Sequence, residues 1–204
     1  MKKLNEPLRR EILAMAANDL SVREALIADG SLGKGYHPRM EAVHKSNAAR
    51  LATLLDQYGW PGKTIVGDDG AEAAWLIVQH AIGNPSFMRR SLSLLQQAGA
   101  RGEAPLWHAA MLEDRIRMYE GKPQIYGSQF QPDENGRMAP YQIENPEEVN
   151  VRRHAVGLNS LEERAVELRE QATKEGVPLA LDRAESDRVR KEYEEWLRAT
   201  GWRR

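Results

Sequence analysis

The chain has 204 residues, 41% of them hydrophobic, enough for one sizeable core. Its 29 Lys and Arg stand against 30 Asp and Glu, a net charge of -1, so no global field draws it to nucleic acid or to an anionic membrane, and neither is expected as a partner. With no cysteine there are no disulfides, thiolate nucleophiles or Cys-based metal sites, and any metal would need His, Asp or Glu.

The amino terminus begins with two lysines, as a signal peptide can, but Arg9, Arg10, Glu11 and Asp19 interrupt any apolar run. The expectation is instead a first helix over 6–28 in a soluble, cytoplasmic, bacterial-type protein, ended by the glycine-rich stretch 29–35. That stretch lacks the Gly-Lys-Ser/Thr ending of a phosphate loop and reads as a hinge. A second helix starts at Pro38, stops before Gly59, and carries the stripe Met40, Val43, Asn47, Leu51, Leu54, Tyr58.

After Gly59-Trp60-Pro61-Gly62 the chain runs through Thr64-Ile65-Val66-Gly67 to Asp69 and Glu72, which have capping-box spacing. The least polar helix of the sequence is expected to open there and to span 71–82. Asn84-Pro85 caps and starts the next helix, which stops at Gly99. Another follows from about 105 to 120 and ends at Gly121-Lys122-Pro123. Segments 124–130 and 137–143 flank Pro132-Asp133-Glu134-Asn135-Gly136 and read as a β-hairpin, with Pro140 marking an edge. Three helices, near 146–155, 160–174 and 183–200, close the chain. The predicted class is mainly α: a single domain over 1–204 built around the buried helix 71–82, with a core at 37–158, helical extensions at 1–30 and 159–204, and a hairpin at about 124–143.

Polar residues on apolar stripes mark the candidate site. His44 and Asn47 interrupt the second helix's stripe. Gln79 and His80 lie inside the least polar helix, His80 sharing a face with Ala73, Leu76 and Ile77. Asp114 and Arg115 fall among Met111, Leu112, Ile116, Met118 and Tyr119. A buried polar group without a partner costs on the order of 1–3 kcal/mol, so these three pairs are expected to be partnered, and a convergence on one pocket would satisfy them. There His80 would be a general base oriented by Asp114, with His44, Asn47, Gln79, Arg115, Tyr126 and Gln129 holding a small polar or anionic molecule in a hydrolase or transferase reaction. Ser128 lacks the second glycine of a nucleophile elbow.

No cofactor or metal is expected, because no two of the five histidines have the spacing that puts both imidazoles on one helix face. A set of His44, His80 and Asp114 is the metal alternative. The competing class is a non-enzymatic interaction protein in which the polar pairs are internal struts and the chain pairs with a partner or forms a homodimer.

Four ordered motifs, Gly59-Trp60-Pro61, Ala74-Trp75-Leu76-Ile77-Val78-Gln79-His80-Ala81, Asp114-Arg115 and Gln124-Ile125-Tyr126-Gly127-Ser128-Gln129, make the region 44–158 resemble a bacterial family catalogued as a domain of unknown function. The family pattern has Thr at the position of Ser128, which keeps a hydroxyl there. The resemblance supports the same residues and assigns them no role.

Overall fold

The computed structural model describes residues 3–32, 35–133, 138–175 and 183–204, with side chains described outside 172–175 and 183–186. Of the expected hinge, Gly33 and Lys34 lie outside the described residues, as does the hairpin tip at 134–137. The fold is mainly α, with eight α-helices and a two-stranded antiparallel hairpin among the described residues. Its contacts group the chain into two units, Met1–Ala104 and Pro105–Arg204.

The first unit holds α1 (Glu6–Ala28), α2 (Pro38–Tyr58), α3 (Lys63–His80) and α4 (Pro85–Ala100). Asn5 accepts from the Leu8 amide and Pro7 sits in the first turn, so α1 opens with a side-chain cap and a residue that needs no amide partner. The Asn5 amide also donates to the Ile65 carbonyl, and the Arg9 guanidinium makes two contacts with Asp69 at 3.0 and 2.6 Å, which fixes the start of α1 on α3. Leu8, Ile12, Ala16 and Leu26 of α1, Met40, Ala48, Leu51 and Leu54 of α2, and Val66, Ala74, Ile77 and Val78 of α3 are buried. Burying one such aliphatic side chain stabilises by roughly 1.5–3 kcal/mol, so this seam is what holds the three helices together.

α3 begins earlier than the capping-box spacing predicts and ends at His80, with Ala81 as its cap. The physical reason is Gly67, at φ 77° and ψ 169°, which is not helical: a short first turn ahead of it meets the main helix across a sharp break. Asn84 caps α4 through the Phe87 amide at 3.2 Å, as its sequence position predicts.

The second unit holds α5 (Leu106–Tyr119), the strands β1 (Phe130–Pro132) and β2 (Met138–Pro140), a 3-10 turn at Pro146–Glu148, α6 (Val149–Ala155), α7 (Leu161–Glu175) and α8 (Arg183–Ala199). β1 and β2 pair in the register Phe130 with Pro140, Gln131 with Ala139 and Pro132 with Met138. The strands are shorter than predicted because Gln124 and Ile143 meet in an isolated parallel bridge, and side-chain bonds hold the chain between Gln124 and Phe130. The end of α8 returns to α5, where Trp202 stacks on Tyr119 at 5.0 Å and Arg203 donates to the Tyr119 carbonyl.

Candidate functional site

Asp19 is the residue on which the first unit's polar groups converge. It lies on the same α1 stripe as Ile12, Ala16 and Leu26 and is 1% exposed. Its carboxylate meets two imidazoles, one from each neighbouring helix. His80, at the end of α3, brings Nδ1 to within 3.1 and 3.0 Å of the two carboxylate oxygens. His44, on α2, brings Nε2 to 3.3 Å from Oδ2, without the alignment of a hydrogen bond. The two rings stand 5.2 Å apart between centroids.

The other nitrogen of His44, Nδ1, is 2.8 Å from the Tyr36 hydroxyl, and the Tyr36 ring stacks on the imidazole. His44 is therefore held from both sides. Desolvation opposes the charge on Asp19, but the neighbouring imidazoles of His44 and His80 outweigh it and hold the carboxyl well below the usual range.

The cluster opens on one side. A pocket of about 180 Å³ has His44 and His80 in its wall, together with Tyr36, His37 and Arg23. Leu32, Met40 and Ile82 supply its apolar surface. Arg23 extends the α1 stripe beyond Asp19 and has no ion pair with a described residue. The His80 side chain is 24% exposed, so one edge of its ring reaches the opening while Asp19 holds the other. The arrangement can orient an imidazole for proton transfer, present a cation to an anionic group, and offer one oxygen and two nitrogens to a metal ion.

The remaining sequence-predicted residues fall into distinct roles. Asn47 is buried on α2 and donates to the Met15 carbonyl at 3.1 Å, which ties α2 to α1. Gln79 is buried beside His80. Asp114, Arg115, Tyr126 and Gln129 belong to the second unit. There Asp114, itself fully buried, accepts from the amides of Ile125, Tyr126 and Ser128 at 2.7–3.2 Å. Burial pushes its carboxyl above the ordinary value, against the lowering effect of those amides. The carboxylate on His80 is that of Asp19.

Arg115 Nε donates to Gln129 Oε1 at 3.1 Å, and the Gln129 amide donates to Gln124 Oε1 at 2.7 Å. Arg153, 1% exposed, donates to the carbonyls of Tyr126 and Asn159. The loop around Gly127 is thus built by side chains that serve its backbone.

Sequence reasoning missed Asp19, Tyr36 and Arg23. For Asp19 the signal was present: it interrupts the run Leu8, Ile12, Ala16, Leu26 as His44 interrupts its own stripe. Tyr36 lies in the link between two helices, where no periodicity exists to read.

No helix among the described residues is long and apolar enough to cross a membrane. Comparison with curated proteins and with solved structures finds no match to this chain. A family model matches residues 6–177, a span that takes in Asp19, His44, His80, Asp114 and Gln129. The chain belongs to that family, a family of unknown function (DUF6624).

Proposed function

We propose that the first unit binds a small polar or anionic molecule in the pocket beside Asp19 and acts on it as a hydrolase or transferase, with His80 as general base. The observation that carries this reading is the contact of His80 Nδ1 with both Asp19 oxygens at 3.1 and 3.0 Å, at the edge of an open pocket. A proton on Nδ1 donated to the carboxylate leaves Nε2 as the basic nitrogen and steadies the imidazolium once formed. Arg23 supports an anionic ligand, since it is a residue of the pocket wall and has no ion pair with a described residue.

Thermal unfolding of the wild-type chain and of Arg23→Ala is the test, run against inorganic phosphate, small carboxylates, phosphate monoesters and simple amides. A ligand at 100 times its Kd stabilises by about 2.7 kcal/mol, so a true ligand raises the melting temperature of the wild type and not of the variant. A wild-type protein that no member of the panel stabilises at millimolar concentration overturns the reading. For a compound that is turned over, His80→Gln is expected to lower kcat by about 10²–10⁴ with KM kept.

A second reading is favoured by the internal bonding of Asn47, Asp114 and Gln129, which fits struts in a protein that acts by binding a partner or a second copy of itself. A mass in solution that rises with concentration, together with a silent ligand panel, supports it.

A further inference from the structure

We infer that Asp19, His44 and His80 bind one divalent first-row transition-metal ion through a carboxylate oxygen, Nε2 and Nδ1. One ligand atom from each of three helices lies within 4.8 Å of the others. Around a tetrahedral ion with bonds of about 2.0–2.2 Å, neighbouring ligand atoms stand roughly 3.3–3.6 Å apart, and around an octahedral ion roughly 2.8–3.1 Å. The two separations from Asp19 Oδ2, 3.0 Å to His80 and 3.3 Å to His44, lie in that range, and the two imidazole nitrogens, within 4.8 Å of each other, close around an ion by a small adjustment of the rings.

A second observation is independent of that spacing. His44 Nε2 is buried, faces an anionic oxygen and makes no hydrogen bond to it. Its ring is fixed by Tyr36 at Nδ1, and if Nδ1 donates to that hydroxyl, Nε2 carries its lone pair toward Asp19. Without an ion the other tautomer, with Nε2–H toward the carboxylate, is the one that favours the charge on Asp19, and an ion shared between Nε2 and Asp19 takes the place of that proton. Tyr36 then fills the place of the outer partner that orients a ligating histidine.

Two imidazoles and a carboxylate suit zinc or iron(II), and also cobalt(II), rather than the all-oxygen shells of calcium or magnesium. Three protein ligands leave a further position for water or substrate, and two of them, His44 and His80, belong to residues that line the pocket. This inference rests on the pocket reading for what approaches the ion. With the ion bound, His80 is a ligand and no longer the base, because its Nδ1 exchanges its proton for the ion and Nε2 keeps the other; a water at the remaining position, acidified by the ion, would lose a proton and supply hydroxide in its place.

The experiment is calorimetric titration of chelator-treated, tag-free protein with zinc chloride, with cobalt chloride added in parallel to read its visible absorption. One ion per chain is expected. His44→Ala and Asp19→Asn should each weaken binding at least about 100-fold and Tyr36→Phe about 10-fold, since loss of an outer partner alone costs 10–100-fold. His154→Gln, on α6, should leave it unchanged. Far-ultraviolet circular dichroism identifies a variant that has failed to fold. If Asp19→Asn does, His44→Ala and the loss of its cobalt absorption decide.

Zinc binding that is substoichiometric, or equal in wild type and His44→Ala, overturns the inference. An anion that stabilises the chelator-treated protein while zinc does not bind overturns it and leaves the pocket reading standing. One zinc per chain with no anion effect, with or without the ion, does the reverse.

Discussion

A single buried carboxylate can do two opposite jobs, and Asp19 and Asp114 divide them. Asp114 spends its oxygens on the amides of Ile125, Tyr126 and Ser128, so its charge shapes a loop. Asp19 spends its oxygens on side chains that line a pocket. Replacing Asp114 with Asn turns one acceptor into a donor aimed at N–H groups. We expect it to cost about 3 kcal/mol, read from urea unfolding at neutral pH, because hydrogen bonds to buried charges contribute more than neutral ones. An effect below about 0.5 kcal/mol, the size of an ordinary surface substitution, would show that the amides have other partners. The two roles were not separable from spacing alone, since both residues simply interrupt an apolar stripe. Which carboxylate reaches His80 depends on how helices pack, and periodicity within one helix carries no information about its neighbour.

At the scale of elements, local chemistry was legible wherever it was self-contained. Asn84-Pro85 starts α4, Pro38 starts α2 and Gly59 follows its end because caps and ring constraints act within a few residues. The start of α3 was not legible, because a separate turn forms ahead of the non-helical Gly67 and Asp69, read as a cap, accepts from Arg9 with both oxygens. The loop between α5 and β1 depends on Gly127 in the same way. Its φ is 62°, and a Cβ there would meet Ile143 Cδ1 at 2.6 Å and Leu161 Cδ1 at 3.0 Å. Gly127→Ala is expected to destabilise by about 2 kcal/mol, part left-handed backbone strain and part displacement of those methyl groups. Denaturant unfolding measures it, and a neutral result would mean that both side chains swing aside and the strain is relieved by a shift of the loop.

For the molecule as a whole, acid sensitivity is set by groups buried in the state of charge they lose least easily. His108, on α5, is 1% exposed, and burial lowers its pKa from 6.5 to about 4. Between those values the unfolded chain holds the proton and the folded chain does not. The contribution of His108 is therefore complete above about pH 6.5 and is lost as the pH falls toward 4. From about pH 7.5 to about pH 5 the loss amounts to about 2 kcal/mol. Burial shifts Glu72, Glu113 and Asp114 upward, and their protonation on acidification acts in the opposite direction, so the wild-type curve alone is a sum of contrary effects. The difference between wild type and His108→Phe isolates the histidine, because Phe leaves the carboxyls in place and has no proton to bind. Unfolding free energies of both proteins at the two pH values should differ by a gap that shifts by about 2 kcal/mol, the wild type faring better at the higher pH. A gap that is the same at both pH values would mean that His108 is protonated or hydrated in the folded chain, and the acid limit of the protein would then lie with carboxyls held below their ordinary value, as Asp19 is.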